Sequence, residues 1–278
     1  MKAPFAAPDA PPYRAVSPGR VWAMILRYVY LMRSSWPRLL ELLYWPLVQL
    51  LTWGFLQTWL NGQSGAVAGA GGVLIGGILL WDVLVRGQLG FNMSFLEEMW
   101  SRNMANLLIS PLTRSELIGS LILMSLLRLV ISLLPITILA ILFFGYNLWA
   151  LGFGLAAFFA NLLLTGWALA ILTSGVILRN GLGAEGLVWS LMFLIMPICA
   201  VFYPVAVLPH FLQWVAWTLP PTYVFEGMRA IVFDHVFRVD LMLWAFGINI
   251  VLMAVGCFAF VKLLDSARRV GSLMAIGE

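Results

Sequence analysis

The stretch LIGSLILMSLLRLVISLLPITILAILFF, residues 117–144, decides the class of fold. Its only charged residue is Arg128, and a helix needs about 20 mostly apolar residues to cross a hydrocarbon core of roughly 30 Å. In the whole chain of 278 residues, 62% are apolar and 10% are charged. Soluble proteins have about 45–50% apolar and about 25% charged residues. We therefore expect an all-α integral membrane protein.

Five further stretches have a similar length and apolar character, so the sequence predicts six transmembrane helices. Prolines within the first, third and fifth stretches predict bends or breaks in those helices. The predicted spans cover residues 39–60, 72–96, 117–144, 148–178, 187–208 and 241–264.

The lysines and arginines predict how these spans are oriented. Six precede the first span, two lie between the second and third, one follows the fourth and three lie at the end of the chain. On the opposite side there are only two, Arg229 and Arg238. Because positive residues favour the cytosolic side, we expect a multi-pass protein of the cell inner membrane with both termini in the cytosol. Residues 1–19 are predicted to be a disordered cytosolic tail without a signal peptide, and residues 265–278 a second cytosolic tail.

Residues 20–35 can form an amphipathic helix before the first span. One broad face is apolar and the opposite face carries Arg20, Arg27 and Ser34. The apolar face consists of Val21, Trp22, Ile25, Val29 and Met32. This pattern is typical of a helix that lies in the membrane interface. An ordinary start of the first span is the alternative interpretation.

Residues 209–233, after the fifth span, contain two short apolar halves that meet at Pro220 and Pro221. Neither half is long enough to cross a membrane, so we predict an external re-entrant or interfacial hairpin. Glu226 and Arg229 are three residues apart on its second half and can pair on one helix face. They are candidates for a gate at the tip of the hairpin, or for a capping or headgroup-binding pair.

The loop between the second and third spans, residues 97–110, predicts a short helix with one apolar side. Trp100, Met104, Leu107 and Leu108 lie on that side. A loop in solvent does not need an apolar side, so either a partner protein or the membrane surface is expected to cover it. We favour the partner protein.

Charged residues inside the predicted spans are candidate functional residues because each costs about 2.5–3.5 kcal/mol at a span centre. Asp82 and Arg86 are four residues apart and can pair within one helix. This pair is either structural or part of a proton or substrate path. Arg128 has no such neighbour, so it must meet another helix, a cavity or a lipid headgroup.

The sequence contains no pattern typical of an enzyme. A phosphate-binding GxxxxGK[ST] motif is absent, and the only lysines are Lys2 and Lys262, so we expect no ATP bound by this chain. His210 and His235 lack the spacing of metal ligands, so we expect no metal site and no catalytic residue. The basic residues are assigned to the membrane surface, so nucleic acid is not an expected partner.

Two motifs, EEMWSRNMANLLISPLTRSEL (residues 97–117) and LPPTYVFEGMRAIVF (residues 219–233), give the chain a family resemblance. With the interfacial helix and six spans, residues 20–264 resemble the membrane permease subunit of an ATP-binding-cassette (ABC) exporter. The family is the type-two permeases, which export drugs, lipids or polysaccharides. The resemblance implies a type V exporter-like fold and a homodimer of twelve spans.

The resemblance also implies partners and site residues. Two copies of a separate ABC ATPase subunit would bind ATP and Mg, and residues 97–110 would be the coupling helix that contacts them. The hairpin 209–233 would close the outer end of a pathway between spans one, two and five of facing subunits. The implied coupling residues are Glu97, Glu98, Trp100, Arg102, Met104, Leu107, Leu108, Arg20 and Arg27, and the implied pathway residues are Phe55, Trp59, Phe193 and Tyr203.

The substrate is the least determined feature of the sequence. We expect an amphipathic or hydrophobic molecule, either a drug or a lipid. Polysaccharide exporters of this family carry a basic "RYK"-like stretch before the first span, whereas this chain has RYVYLMRSS at residues 27–35. A polysaccharide or lipid-linked glycan exporter remains one alternative, and a six-span membrane scaffold without transport activity is another.

Overall fold

The computed structural model describes residues 16–62 and 71–270, and within these ranges the chain forms ten α-helices and no strand. The predicted tail over residues 1–15, most of the first external loop and residues 271–278 lie outside the described residues. The helices are α1 Pro18–Arg33, α2 Trp36–Asn61, α3 Gly71–Trp100, α4 Met104–Ile109, α5 Arg114–Phe144, α6 Phe153–Asn180, α7 Gly186–Ile198, α8 His210–Ala216, α9 Pro220–Asp234 and α10 Val239–Val270.

Five of these helices, α2, α3, α5, α6 and α10, are long and apolar enough to cross a membrane. Local sequence signals set their ends. α5, for example, begins at a capping box in which the Thr113 side chain accepts a hydrogen bond from the Glu116 backbone and the Glu116 side chain accepts one from the Thr113 backbone. It ends at Gly145, which takes the left-handed conformation with φ 64°.

α3 and α6 form the centre of the bundle. α2 and α5 pack against α3, and α10 packs along α6 on the other side. Gly166 of α6 lets α3 approach closely, because a Cβ atom there would lie 2.8 Å from the backbone oxygen of Leu84. Gly256 of α10 lets α6 approach in the same way, because a Cβ atom there would lie 2.9 Å from the backbone oxygen of Ala168. We call the two ends of the bundle the α4 end, where α1 and α4 lie, and the α9 end, where α8 and α9 lie.

Buried polar side chains connect the central helices. Asn92 of α3 donates a hydrogen bond to Thr173 at 3.0 Å and accepts one from Ser174 at 2.9 Å, both on α6. Thr165 of α6 donates to Asn249 of α10 at 2.7 Å. In apolar surroundings such hydrogen bonds fix the register of neighbouring helices.

The fifth predicted stretch, residues 187–208, is broken as its prolines predicted, but its helix is shorter than the stretch. α7 has 13 residues and ends at Ile198, one residue after Pro197. Residues 199–204 are not helical, Ala200 has φ 52°, and a short 3-10 turn follows over Val205–Val207. Pro197 and Pro204 lack the backbone N–H that would continue the helix, which is the physical reason for the break.

Three other predicted bounds need correction. α1 begins at Pro18, so residues 18 and 19 belong to the helix and not to the tail. α10 continues to Val270, so residues 265–270 extend the last helix. Residues 148–151 form a separate 3-10 turn, and α6 begins only at Phe153, because Gly152 has φ 56° between the two.

Candidate functional site

A cavity of about 560 Å³ lies between α2, α3, α5 and α7. This volume is within the range of about 300–1,000 Å³ that is typical of small-molecule sites. Aromatic and methionine side chains make up much of its wall, and Trp45, Trp189 and Phe193 are exposed at its lateral edge. The aromatic and methionine lining residues are Met32, Trp45, Trp81, Met93, Trp100, Trp189, Met192, Phe193 and Met196.

All three charged residues predicted within the spans line this cavity. Asp82 and Arg86 pair within α3, where Arg86 Nε donates to the two carboxylate oxygens at 3.3 and 3.4 Å. Arg128 of α5 reaches across to Glu97 of α3, with Nη2 at 3.4 Å from Oε1. The partner of Arg128 thus belongs to another helix, one of the three environments that the sequence left open.

Glu97 is shared between two arginines. Besides Arg128, Nη1 of Arg38 on α2 lies 3.7 Å from Glu97 Oε1. Arg128 has 8% of its side chain exposed, and its buried Nε has no hydrogen-bond partner in the described part of the chain. Two guanidinium groups therefore face one carboxylate at the α4 end of the cavity.

The two charged clusters lie at different depths. Asp82 and Glu97 are 15 residues apart on α3, which at a rise of about 1.5 Å per residue corresponds to roughly 22 Å along the helix axis. The Asp82–Arg86 pair lies near the middle of α3, and the Arg38, Glu97 and Arg128 cluster near its end. The cavity therefore spans about half the thickness of the bundle.

Of the four predicted pathway residues, only Phe193 lines the cavity. Phe55 and Trp59 lie on the outer side of α2 with 64% and 61% of their surfaces exposed. Tyr203 lies in the non-helical segment after α7 and donates a hydrogen bond to the Pro197 backbone oxygen at 2.6 Å. Trp45, Trp81 and Trp189 line the cavity and were missed, because their spacing in the sequence does not distinguish them from lipid-facing tryptophans.

The predicted apolar side of the loop 97–110 is covered by the chain itself, so the expectation that a partner protein or the membrane covers it is wrong for its central residues. Met104 and Leu107 of α4 are 1% and 9% exposed and belong to a core cluster with Phe95 and Leu117. Leu108 packs against the same cluster. An apolar helix face is covered equally well by the chain's own helices as by a partner or a membrane.

Glu97 and Glu98, both predicted as coupling residues, are also engaged within the chain. Glu98 is 1% exposed, and its Oε2 accepts hydrogen bonds from Arg27 of α1 at 2.9 Å and from Asn103 at 2.7 Å. Glu97 faces the cavity. Neither side chain lies on the outer surface of the loop.

α1 is fixed to the α4 end by its two predicted coupling arginines, which point to the protein and not away from it. Arg20 donates to Glu116 Oε1 at 2.6 Å, and Arg27 pairs with Glu98 at 2.9 Å. Next to Arg27, Tyr28 is fully buried. Burial, and next the Glu98 carboxylate, raise the pKa of Tyr28 well above its usual range, so this side chain is neutral. The buried residues of α1 are Met24, Tyr28 and Met32. Of the predicted apolar face, Met32 is buried, whereas Val21, Ile25 and Val29 are half-buried and Trp22 is exposed.

A different part of the loop forms the outer surface of the α4 end. Ile109 is 84% exposed, and Arg102 and Asn106 are exposed beside it in the sequence. Trp100 is 49% exposed and donates from Nε1 to Glu185 at 2.9 Å. Of the predicted coupling residues, Trp100 and Arg102 are therefore the exposed ones.

At the α9 end, Glu226 and Arg229 of α9 hold the non-helical segment that follows α7. Their side chains pair at 3.0 Å, and Arg229 Nη1 also donates to the backbone oxygen of Ala200 at 3.0 Å. Glu226 Oε1 accepts from the backbone N–H of Val205 at 2.8 Å. The pair lies in the middle of α9, with Arg229 6% and Glu226 23% exposed, and not at the tip of a hairpin as predicted.

The described residues contain no group of three or more His, Cys, Asp or Glu side chains that could hold a metal ion.

Comparison with known proteins identifies the family. No curated protein matches the chain. The family model described as ABC-2 type transporter matches residues 21–233, which is most of the chain and includes α1 to α9 up to Phe233. The motifs on which the resemblance was based both fall within this match. The chain therefore belongs to the ABC-2 type transporter family, as the multi-pass membrane permease component of an ABC transporter.

Proposed function

We propose that this permease is the membrane subunit of an ATP-driven exporter that moves an amphipathic or hydrophobic, drug-like or lipid-like substrate out of the cytoplasm or the inner leaflet. It works in the cell inner membrane as a homodimer with two copies of a separate ABC ATPase subunit. The observation that carries the proposal is the cavity between α2, α3, α5 and α7, which combines aromatic walls with buried charges.

The cavity favours transport over a purely structural role. Burying an arginine at a span centre costs about 2.5–3.5 kcal/mol, and Arg86 and Arg128 are 8% and 7% exposed. A scaffold could fill this space with apolar side chains and avoid that cost. A path for a molecule with a polar and an apolar part requires both kinds of wall.

The outer faces of α2 and α7 support a dimer. Phe55 and Trp59 of α2 and Phe193 of α7 are 64%, 61% and 75% exposed, and only 17% of the apolar window of α2 is buried within the chain. We propose that a second copy covers these two helices, which would close the lateral edge of the cavity. In that arrangement Phe55 and Trp59 would face the pathway between the subunits.

The proposed topology has six crossings, of which the fifth consists of α7 and the non-helical segment that follows it. Such a segment is tolerated inside a membrane only where protein satisfies its backbone, and Arg229 and Glu226 bind the backbone of Ala200 and Val205. With both termini in the cytosol, α8 and α9 form the external re-entrant hairpin. Single cysteines at positions 65 and 272, in a variant without the two native cysteines, should label from opposite sides of the membrane, and same-side labelling would contradict this topology.

The α4 end is the proposed ATPase contact. Its outer surface presents Trp100, Arg102, Asn106 and Ile109, and α1 is fixed beside it through Arg20 and Arg27. Motion of the ATPase against this surface would reach the cavity through α3, because Glu97 lies in its last turn. The coupling role of this surface thus depends on exposed residues, and Met104 and Leu107 support it from within.

The test of the ATPase contact is the variant Ile109→Asp in the full chain, co-expressed with its ABC ATPase subunit. Ile109 makes no buried contact that the chain needs, so the permease should insert normally while its co-purification with the ATPase falls at least tenfold. The matched control is Val207→Asp, which changes another exposed apolar residue, 68% exposed, at the α9 end. If Ile109→Asp keeps as much ATPase as Val207→Asp, the α4 end is not the contact.

A further inference from the structure

We propose that the cavity binds an amphiphile whose headgroup is an oxyanion, held by the guanidinium groups of Arg128 and Arg86. This inference rests on the proposed function and narrows its substrate to the acidic amphiphiles. It follows from the pairing of the charged side chains in the cavity.

The first observation is the unequal pairing at the α4 end of the cavity. Arg38 and Arg128 share the single carboxylate of Glu97, at 3.7 and 3.4 Å. Both distances exceed the roughly 2.7–2.9 Å of a strong charge-assisted hydrogen bond. Arg38 Nη1 also donates to the Leu31 backbone oxygen at 3.1 Å, so Arg128 is the arginine whose donor capacity stays largely unused. Glu41, the remaining acidic residue of the lining, is exposed, and it forms no ion pair with Arg38 or Arg128 in the described part of the chain.

The second observation is an unpartnered donor. Nε of Arg128 is buried and makes no hydrogen bond to any described residue. Among the described cavity-lining residues, it is the only buried side-chain nitrogen or oxygen without a hydrogen-bond partner. The unpartnered buried atom of the lining is therefore a donor and not a carboxylate oxygen. A buried donor without an acceptor costs about 1–3 kcal/mol, and an oxyanion supplies the missing acceptor.

The third observation is a second guanidinium deeper in the same cavity. Arg86 uses only Nε for Asp82, and its two Nη atoms make no hydrogen bond within the described ranges. Arg86 lies 11 residues before Glu97 on α3, about 16 Å along the axis. The headgroup of a bound amphiphile therefore has a first position beside Arg128 and a second position beside Arg86.

The walls between the two positions fit an apolar chain. Leu89, Gly90 and Met93 line this stretch on α3, and Met192 and Met196 line the same cavity from α7. Methionine side chains adapt to irregular apolar ligands. A headgroup at Arg128 thus allows the tail to lie along α3 and α7 toward the middle of the bundle.

The test is equilibrium binding of radiolabelled dodecyl phosphate to the purified full chain in phosphatidylcholine nanodiscs, with empty nanodiscs subtracted. Arg128→Gln should weaken binding at least about tenfold, the value of one charge-assisted hydrogen bond. Arg179→Gln is the matched control, because Arg179 is exposed and lies outside the cavity. Glu97→Gln removes the competing carboxylate and should tighten binding, a result that a misfolded chain cannot produce.

Competitors identify the headgroup and the need for a tail. Dodecanoate should compete with dodecyl phosphate if the site accepts any oxyanion headgroup. If dodecanoate does not compete while dodecyl phosphate still binds, the site is specific for a phosphate headgroup. Dodecyltrimethylammonium should compete poorly, and inorganic phosphate should not compete at the same concentration.

Four results would overturn the inference: equal binding by Arg128→Gln and Arg179→Gln, no gain in Glu97→Gln, stronger competition by the cationic amphiphile, or equal competition by inorganic phosphate. The assay contains neither ATPase nor ATP. A chain that binds dodecyl phosphate through Arg128 but never associates with an ABC ATPase would uphold this inference and refute the proposed function. A chain that associates with the ATPase but does not bind dodecyl phosphate through Arg128 would refute this inference and uphold the proposed function.

Discussion

Removing the Glu98 carboxylate should release α1 from the α4 end of the bundle. The Glu98 carboxylate accepts two charge-assisted hydrogen bonds, from Arg27 at 2.9 Å and from Asn103 at 2.7 Å. Together these are worth about 3–6 kcal/mol. Arg27 keeps 36% of its side chain exposed, and the second Glu98 oxygen is buried without a hydrogen-bond partner among the described residues. Solvation of Arg27 and the relieved desolvation of Glu98 therefore offset part of that value. We expect a net loss of about 2 kcal/mol for Glu98→Ala.

The assay is hydrogen–deuterium exchange of the full chain in nanodiscs, followed on peptides from Pro18–Arg33. A loss of about 2 kcal/mol increases the opening equilibrium of α1 about 30-fold. Asp265→Ala is the control, because its pair with Arg114 is about 40% exposed on both sides and is worth about 0–1 kcal/mol. If exchange in α1 changes by less than about threefold in Glu98→Ala, as in the control, Arg27 and Glu98 do not hold α1 in place.

Two further predictions concern helix packing and the α9 end. Gly166→Ala should destabilise the full chain by about 1–3 kcal/mol, measured by thermal unfolding in detergent, because its Cβ would lie 2.8 Å from the Leu84 oxygen. Gly119→Ala, with nothing within 4 Å, should be neutral or stabilising, and equal effects would contradict the packing. Arg229→Gln should reduce transport and substrate-stimulated ATP hydrolysis of the assembled complex, while Arg238→Gln, in an exposed pair, should not. If transport and ATP hydrolysis are unchanged in Arg229→Gln, Arg229 is not part of a gate.

Local patterns in the sequence were sufficient for some features of the fold and of the site. The apolar run 117–144 predicted α5, and the four-residue spacing of Asp82 and Arg86 indicated the pair seen at 3.3 Å. Pro197 indicated a break in the fifth stretch, although not that the helix would stop there and leave residues 199–204 non-helical. These features depend on neighbours within one or two helical turns, which sequence periodicity describes.

The features that sequence analysis missed depend on contacts between distant parts of the chain. Arg20 meets Glu116 across 96 positions, and Arg27 meets Glu98 across 71. The amphipathic pattern of the loop 97–110 showed that one side is apolar, but not that Met104 faces the chain's own core. The cavity likewise exists only where α2, α3, α5 and α7 come together.

The most direct test of the central claim is ATP-driven transport by proteoliposomes that contain the permease and its ABC ATPase. The account predicts ATP-dependent movement of an acidic amphiphile that requires the permease. It also predicts that the double variant Arg86→Gln, Arg128→Gln lowers the transport rate at least tenfold while the complex stays assembled. Transport at the wild-type rate by the assembled double variant would contradict the assignment of the cavity between α2, α3, α5 and α7 as the substrate path.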